Sequence, residues 1–365
     1  MPQVSRPGDG ALRGLRVLVR LPSWLGDCVA VEPALRRVVA ATDDGRRLSI
    51  VLPDAFVPLF RAAAPHARFL SAGARDAKRS RDAWRGHDVA LLFPGSFRSA
   101  WQAWRAGIPR RVGWSRDGRG WLLTDRARPA LERGGPALGT SRRGRFPRYL
   151  PRSVQASAQE LLGFVGLAVE DPRPRLVIDP SARERVGQRL AAFGFDAHEA
   201  PLVVNVGARP GSAKGVPAEL WADALGAIGR EGRSRTLLVC GPGEESAVEE
   251  LAKLLRRRGI PSAAYVAPVA DLQELCVLAE GSSLFLTADG GARHVAAACG
   301  ARVLCVFGPT DPRHTAHALE RTRGVRASVP CAPCHLERCP LSGDEHHRCM
   351  TAIEAGALVE AARRF

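Results

Sequence analysis

The chain has 365 residues, 45% hydrophobic and 25% charged, an ordinary soluble composition with enough length for two domains that each bury a core. No run of about 18 apolar residues occurs, and the opening MPQVSRPGDGALRG has no apolar signal core, so neither a membrane span nor export is indicated and a cytoplasmic location is expected. The net charge of +16 attracts anions of any kind, but only 6% aromatic residues and no recognisable module argue against a nucleic-acid reader.

Apolar runs alternate with amphipathic stretches of helical length throughout, which predicts an α/β fold with parallel sheets covered by helices. Strands are expected at 15–21 (LRVLVRL), 48–52 (LSIVL) and 88–93 (DVALLF), with helices near 27–40, 54–63 and 96–105. The basic, glycine-rich stretch 132–149 is too long and polar for a standard loop. Prolines and charges in 170–185 disfavour regular structure and suit an exposed connection, which puts the domain boundary between residues 178 and 179. The rhythm then restarts, with strands at 202–206, 235–240, 283–287 and 302–307 and helices near 217–230, 244–257, 271–279 and 291–299.

Ligands of open parallel sheets bind beyond the carboxyl ends of the strands, where turns meet helix N-termini that favour negative charge. The first such turn holds Ser23, Trp24, Gly26 and Asp27; Asp27 either caps the following helix or serves as a catalytic carboxylate. In NVGARPGSAKGVP, Lys214 is either a solvated loop lysine or a point charge for a diphosphate. In VCGPGEESA, Glu244 and Glu245 either complement a helix dipole or accept hydrogen bonds from ribose hydroxyls. Asp289, Gly290 and Gly291 open a small-residue helix carrying His294, and two side-chain-free residues let a phosphate approach its amides. The next turn, VFGPTDP, adds Thr310 and Asp311.

Near the C-terminus, Cys331, Cys334, Cys339 and Cys349 are interleaved with histidines; they are read as a structural zinc site, as reduced thiols or as a disulfide. The other five cysteines sit singly among apolar residues, as buried thiols do.

The motifs PSWLGD, FPGSFRSAWQAWRAGIPRRVGW (93–114), GSAKGVP (211–217) and TADGGARHVAAACGARVLCVFGPTDP (287–312) resemble, in order, those of the ADP-heptose:lipopolysaccharide heptosyltransferases, most nearly the heptosyltransferase II branch, and the resemblance spans about residues 15–355. It implies a GT-B fold of two Rossmann-like domains facing across a cleft, with residues 1–178 holding the acceptor and 179–365 holding ADP-heptose. It further implies inverting transfer without a metal cofactor, Asp27 as general base, and Lys214, Glu244, Asp289, Gly290, Gly291, His294 and Thr310 around the donor. Ser23, Trp24, Arg98 and Arg110, with Arg111 and the arginines of 142–148, become contacts for a Kdo-lipid A or heptosylated inner-core acceptor at the inner leaflet of the cytoplasmic membrane. Gly290 departs from the family's frequent serine or threonine, Gly215-Val216 from its arginine and tryptophan, and Arg293 from a usually apolar position. Another nucleotide-sugar donor, or sugar-nucleotide binding without catalysis, are the alternatives these departures leave open.

Overall fold

The computed structural model describes residues 12–73, 77–116, 118–130, 150, 152–196, 199–207, 211–230, 235–315 and 321–365; the 132–149 stretch and its arginines lie outside them. The chain divides into two compact units. One runs through Val177 and takes back a short piece beginning at Arg313; the other starts at Ile178 and holds the rest.

The first unit is built on a six-stranded sheet. Its strands are β1 (Val17–Arg20), β2 (Leu48–Leu52), β3 (Arg68–Ser71), β4 (Val89–Leu92), β5 (Arg110–Trp114) and β6 (Asp125–Ala127), in the order β3-β2-β1-β4-β5-β6. All five pairings are parallel. The central strands VLVR, LSIVL and VALL are buried at every position, as strands covered on both faces must be. Among the described residues, six helices accompany the sheet: α1 (Leu25–Ala30), α2 (Glu32–Ala41), α3 (Val57–Arg61), α4 (Ala77–Trp84), α5 (Phe97–Arg105) and α6 (Val154–Gly163).

The second unit repeats the plan. Its strands β7 (Leu202–Asn205), β8 (Thr236–Val239), β9 (Ser262–Tyr265), β10 (Leu284–Ala288), β11 (Val303–Val306) and β12 (Thr322–Val325) run β9-β8-β7-β10-β11-β12, again wholly parallel. Its helices are α7 (Pro180–Ala192), α8 (Ala218–Arg230), α9 (Glu245–Arg257), α10 (Leu272–Glu280), α11 (Gly291–Ala298), α12 (Arg348–Thr351) and α13 (Ala355–Arg363). Trp221, Ala224 and Leu225 of α8 share one apolar cluster with Leu358, Val359 and Ala362 of α13, so the C-terminal helix closes this unit's core. In each sheet the strand order reverses at the centre, between β1 and β4 and between β7 and β10, and a crevice opens at the carboxyl ends of such a pair.

Three sequence expectations change. The helix foreseen over 27–40 is two: α1 stops at Val31 (φ −90°, ψ 2°) and α2 restarts with Pro33 in its first turn, where a missing N–H costs nothing. The one foreseen over 54–63 begins as a 3₁₀ turn at Asp54–Phe56 before α3. Residues 180–185, read as irregular, open α7: Pro180 takes the first helical position and the Asp179 carboxylate accepts from the Ser181 amide at 2.9 Å. Strands β3, β5, β6, β9 and β12 were not foreseen, because RFLS, RRVGW, DRA, SAAY and TRGV carry polar residues that break the apolar runs of buried strands.

Candidate functional site

In the first unit, β1 ends at Arg20, whose side chain is 9% exposed. Its guanidinium donates to the Leu21 carbonyl, to the Val51 carbonyl at 3.4 Å and to Ser23 Oγ at 2.8 Å. Burial brings this arginine down to about 10, and the neighbouring charge of Arg98 pushes the same way. Ser23 is thus held by the strand end and Arg98 lies close to the same turn. Trp24 is the N-cap residue of α1 and exposes 64% of its surface. The Trp24 side chain does not cap α1; Asp27 is the helix's third residue, in its first turn and half-buried. Behind it, burial raises the Cys28 thiol far above the ordinary range, which leaves an inert sulfur beside an acidic group.

The start of α5 is fixed by a residue the sequence reading missed. Arg119, fully buried, donates to the Trp114 carbonyl at 2.8 Å, the Ser96 carbonyl at 2.7 Å and Ser99 Oγ at 2.9 Å. Nothing in RDGRGW distinguished it from the surface arginines around it. Arg110 and Arg111 need a correction. They begin β5, where Arg110 pairs with Val89 at the start of β4, so they lie at the end of the sheet opposite the ligand-side turns. Arg110 pairs with Asp125 at 3.0 Å and donates to the Phe164 carbonyl, and Arg111 donates to the Leu122 and Ile108 carbonyls at 2.7 and 2.5 Å. Both are spent on holding loops.

In the second unit the turns after β7 and β10, neighbours at the centre of the sheet, meet. Lys214 Nζ donates to the main-chain oxygen of Asp289 at 2.9 Å and lies 4.0 Å from its Oδ2. The other carboxylate oxygen receives Arg293 Nε at 3.1 Å, and both side chains are buried. Arg293 Nη2 stands 2.9 Å from His294 Nε2; because arginine can only donate, that nitrogen accepts, and the imidazole proton is on Nδ1. The unexpected arginine is therefore the internal counter-charge of Asp289, and it fixes His294 as well. One strand back, Asn205 Nδ2 donates to Thr287 Oγ1 at 3.2 Å and ties β7 to β10 just below the crevice.

Gly290 is the N-cap residue of α11 in an extended conformation (φ −147°, ψ −174°) and brings no side chain to cap that helix. A Cβ built on Gly290 would meet its nearest neighbour, the Ala288 carbonyl, at 3.9 Å, so the space would admit a serine.

The two glutamates after β8 separate cleanly. Glu244 Oε2 accepts from the Gly241 amide at 2.9 Å and occupies the space above Gly207, where a Cβ would fall 1.8 Å from it. The carboxylate thus leans from the β8 turn onto the β7 turn. Glu245 is instead held below the usual carboxylate range by its own amide and by that of Gly243. After β11, Thr310 Oγ1 is shut away from solvent and meets no hydrogen-bond partner among the described residues, while Asp311 beside it is buried.

The C-terminal cysteines are free thiols. Cys349 is packed with Met350 in the second unit's core, and its thiol is pushed up to about 11 by burial first and then by Cys331, Cys334 and Cys339. The His347 amide donates to Cys339 Sγ at 3.3 Å. Among the described residues no group of three or more His, Cys, Asp or Glu side chains is arranged to hold a metal ion, so the zinc reading finds no ligand set there. Among the same residues no helix is long and apolar enough to cross a membrane.

Known proteins share this arrangement. The family described as glycosyltransferase family 9 (heptosyltransferase) matches residues 81–343. Lipooligosaccharide heptosyltransferase 2 of Campylobacter jejuni is 28% identical over 167 residues, which cover 45% of this chain and 50% of that relative, so the chain spans about half the length of that protein in the match. Lipopolysaccharide heptosyltransferase 2 of Escherichia coli K12 is 25% identical over 328 residues, covering 86% of this chain and 88% of the relative. The solved structure of E. coli ADP-heptose LPS heptosyltransferase II aligns with a TM-score of 0.69 at 20% identity, covering 96% of this chain and 98% of that one, and it shares the GT-B fold. With a family match over well more than half its length, the chain belongs to glycosyltransferase family 9, the heptosyltransferases.

Proposed function

We propose that this glycosyltransferase moves heptose from ADP-heptose to the inner core of lipopolysaccharide, with inversion, Asp27 as the general base and no metal in the chemical step. The observation that carries the reading is the meeting of Lys214 with Asp289 at the N-terminus of α11, because a cation beside a helix N-terminus suits a diphosphate leaving group. Lys214 and the first amides of α11 stabilise the negative charge that develops on ADP as the bond from the anomeric carbon to the diphosphate breaks. Thr310 supplies a hydroxyl donor on the neighbouring turn, since a buried and unsatisfied Oγ1 gains by meeting a phosphate oxygen. Glu244 accepts from ribose hydroxyls. Asp289 and His294 shape the loop, the former through its pair with Arg293.

On the acceptor side, Asp27 takes the proton of the attacking hydroxyl as the new bond to the anomeric carbon forms. Ser23, steadied by Arg20, and the exposed Trp24 ring border that hydroxyl, and Arg98 offers a cation to the acceptor's phosphates or acidic sugars. The acceptor, Kdo-lipid A or its heptosylated form, is lipid-anchored, so the protein works from the cytoplasm at the inner leaflet. Residues 1–178 serve the acceptor and 179–365 the donor.

The test is ADP release from ADP-heptose with a Kdo-containing lipid A acceptor, comparing the wild type with Asp27→Asn. The variant is expected to lose at least about a hundredfold in kcat, the size of a lost general base. Equal rates would remove Asp27 from the chemistry. Binding of ADP-heptose without turnover by the wild type would favour a binding protein, and no binding at all would point to another donor.

A further inference from the structure

One surface of the first unit is unlike the rest of the molecule. Phe97, Trp101 and Trp104 recur along one stripe of α5, and Trp121, from the 3₁₀ turn at Arg119–Leu122, stands among them. Phe97 stacks on Trp101 with centroids 6.2 Å apart, Trp101 on Trp104 at 5.0 Å, and Trp121 meets Trp101 and Trp104 edge-on at 6.5 and 6.2 Å. Trp101 packs against the first unit's apolar core, but the rings around it stand largely outside that core. Ala100 and Ala103, on the other side of α5, are fully buried, whereas Phe97, Trp104 and Trp121 remain 44%, 43% and 60% exposed. A contiguous aromatic patch kept in water costs hydration free energy, and such patches mark surfaces with a partner.

The charge around it states the partner's sign. Arg98 and Arg105 are exposed on α5 itself, and the Arg126 guanidinium reaches Gly120, next to Trp121. Indole rings favour the boundary of a bilayer, where the ring meets acyl chains and the N–H meets headgroups, and arginines beside them attract anionic lipid.

We infer that the Phe97–Trp101–Trp104–Trp121 cluster and its arginine rim seat the protein on the headgroup layer of an anionic phospholipid bilayer. The inference rests on the reading above for its biological sense, since a lipid-anchored acceptor needs an enzyme at that layer. Its test reads lipid binding with no substrate present, so either can fail alone.

The full chain is sedimented with vesicles of phosphatidylethanolamine and phosphatidylglycerol, and with vesicles of phosphatidylcholine alone. Binding to the first and little to the second is expected. The double variant Trp104→Ala/Trp121→Ala should bind at least about tenfold more weakly through lost apolar insertion. Arg105→Gln should weaken it about fivefold, the contribution of one cation near an anionic surface. Arg256→Gln, an equal loss of charge on α9 of the second unit, should change nothing, and thermal melts check that every variant is folded. Quenching of tryptophan fluorescence by brominated lipid, retained in the wild type and reduced in the double variant, gives a second readout. Undiminished binding by the folded double variant, equal binding to phosphatidylcholine, or a dimer that the double variant abolishes while vesicles bind neither protein would overturn the assignment, the last in favour of a second copy as the patch's occupant.

Discussion

Lys214 donates to the main-chain oxygen of Asp289, 75 residues away in sequence, and the Asp289 carboxylate is held from its other side by the buried Arg293. A loop lysine that is 41% exposed is thereby pinned at the mouth of α11.

Removing that cation should therefore hit the chemical step harder than the fold. Lys214→Met is expected to lower kcat/KM for ADP-heptose by about a hundredfold, the scale of one lost donor to a developing charge, with less than about 1 kcal/mol of change in stability because the lysine is partly exposed and Asp289 keeps Arg293. Lys214→Arg should recover part of the loss. Steady-state kinetics beside urea denaturation check both, and a drop confined to stability would argue against a role at the leaving group.

Arg293 makes the opposite prediction. Asp289→Asn leaves a buried guanidinium without its carboxylate and should cost about 3 kcal/mol of stability. Adding Arg293→Met to that variant should restore most of it, because a buried pair replaced whole is far cheaper than one broken. Melting temperatures of the two single variants and the double form the cycle.

Gly207 and Glu244 should be coupled. Gly207→Ala puts a methyl where the Glu244 carboxylate lies and should raise the dissociation constant for ADP about tenfold through loss of one polar contact. In a Glu244→Ala background the same substitution should cost almost nothing. Calorimetric titration with ADP reads the difference, and additive losses would show that the two positions act separately.

The buried thiols set a pH dependence. Cys349 is raised to about 11 and Cys240 to about 12 in the folded chain, each chiefly by burial, against about 9 when unfolded. Below pH 9 both states keep the proton and the stabilisation is complete. Between pH 9 and 11 the unfolded chain ionises first, so stability should fall as pH rises. Urea midpoints at pH 8 and 10.5 should differ less for Cys349→Val than for the wild type.

Much of this was readable from the residues in order. LSIVL and VALL announce buried parallel strands because both faces must be apolar, and the Gly290-Gly291 turn after β10 marks where a ligand can approach a helix mouth. RRVGW and SAAY gave no such signal, since strands nearer the sheet edge carry polar residues on a solvated face. Arg110 was indistinguishable in sequence from Arg98. Only β5's register against β4 shows that it begins a strand at the far end of the sheet, paired with Asp125.

Periodicity and turn chemistry thus determined the α/β class, the two repeated units and the positions of Asp27, Lys214 and the Asp289–Gly291 turn, because each depends on neighbours a few residues apart. Which side chains meet was decided by tertiary structure alone. The lean of Glu244 onto the β7 turn and the capture of Asp289 by Arg293 and Lys214 follow from strand order and register. Those are set by long-range packing, where a partner 75 residues away counts as much as the next residue in the chain.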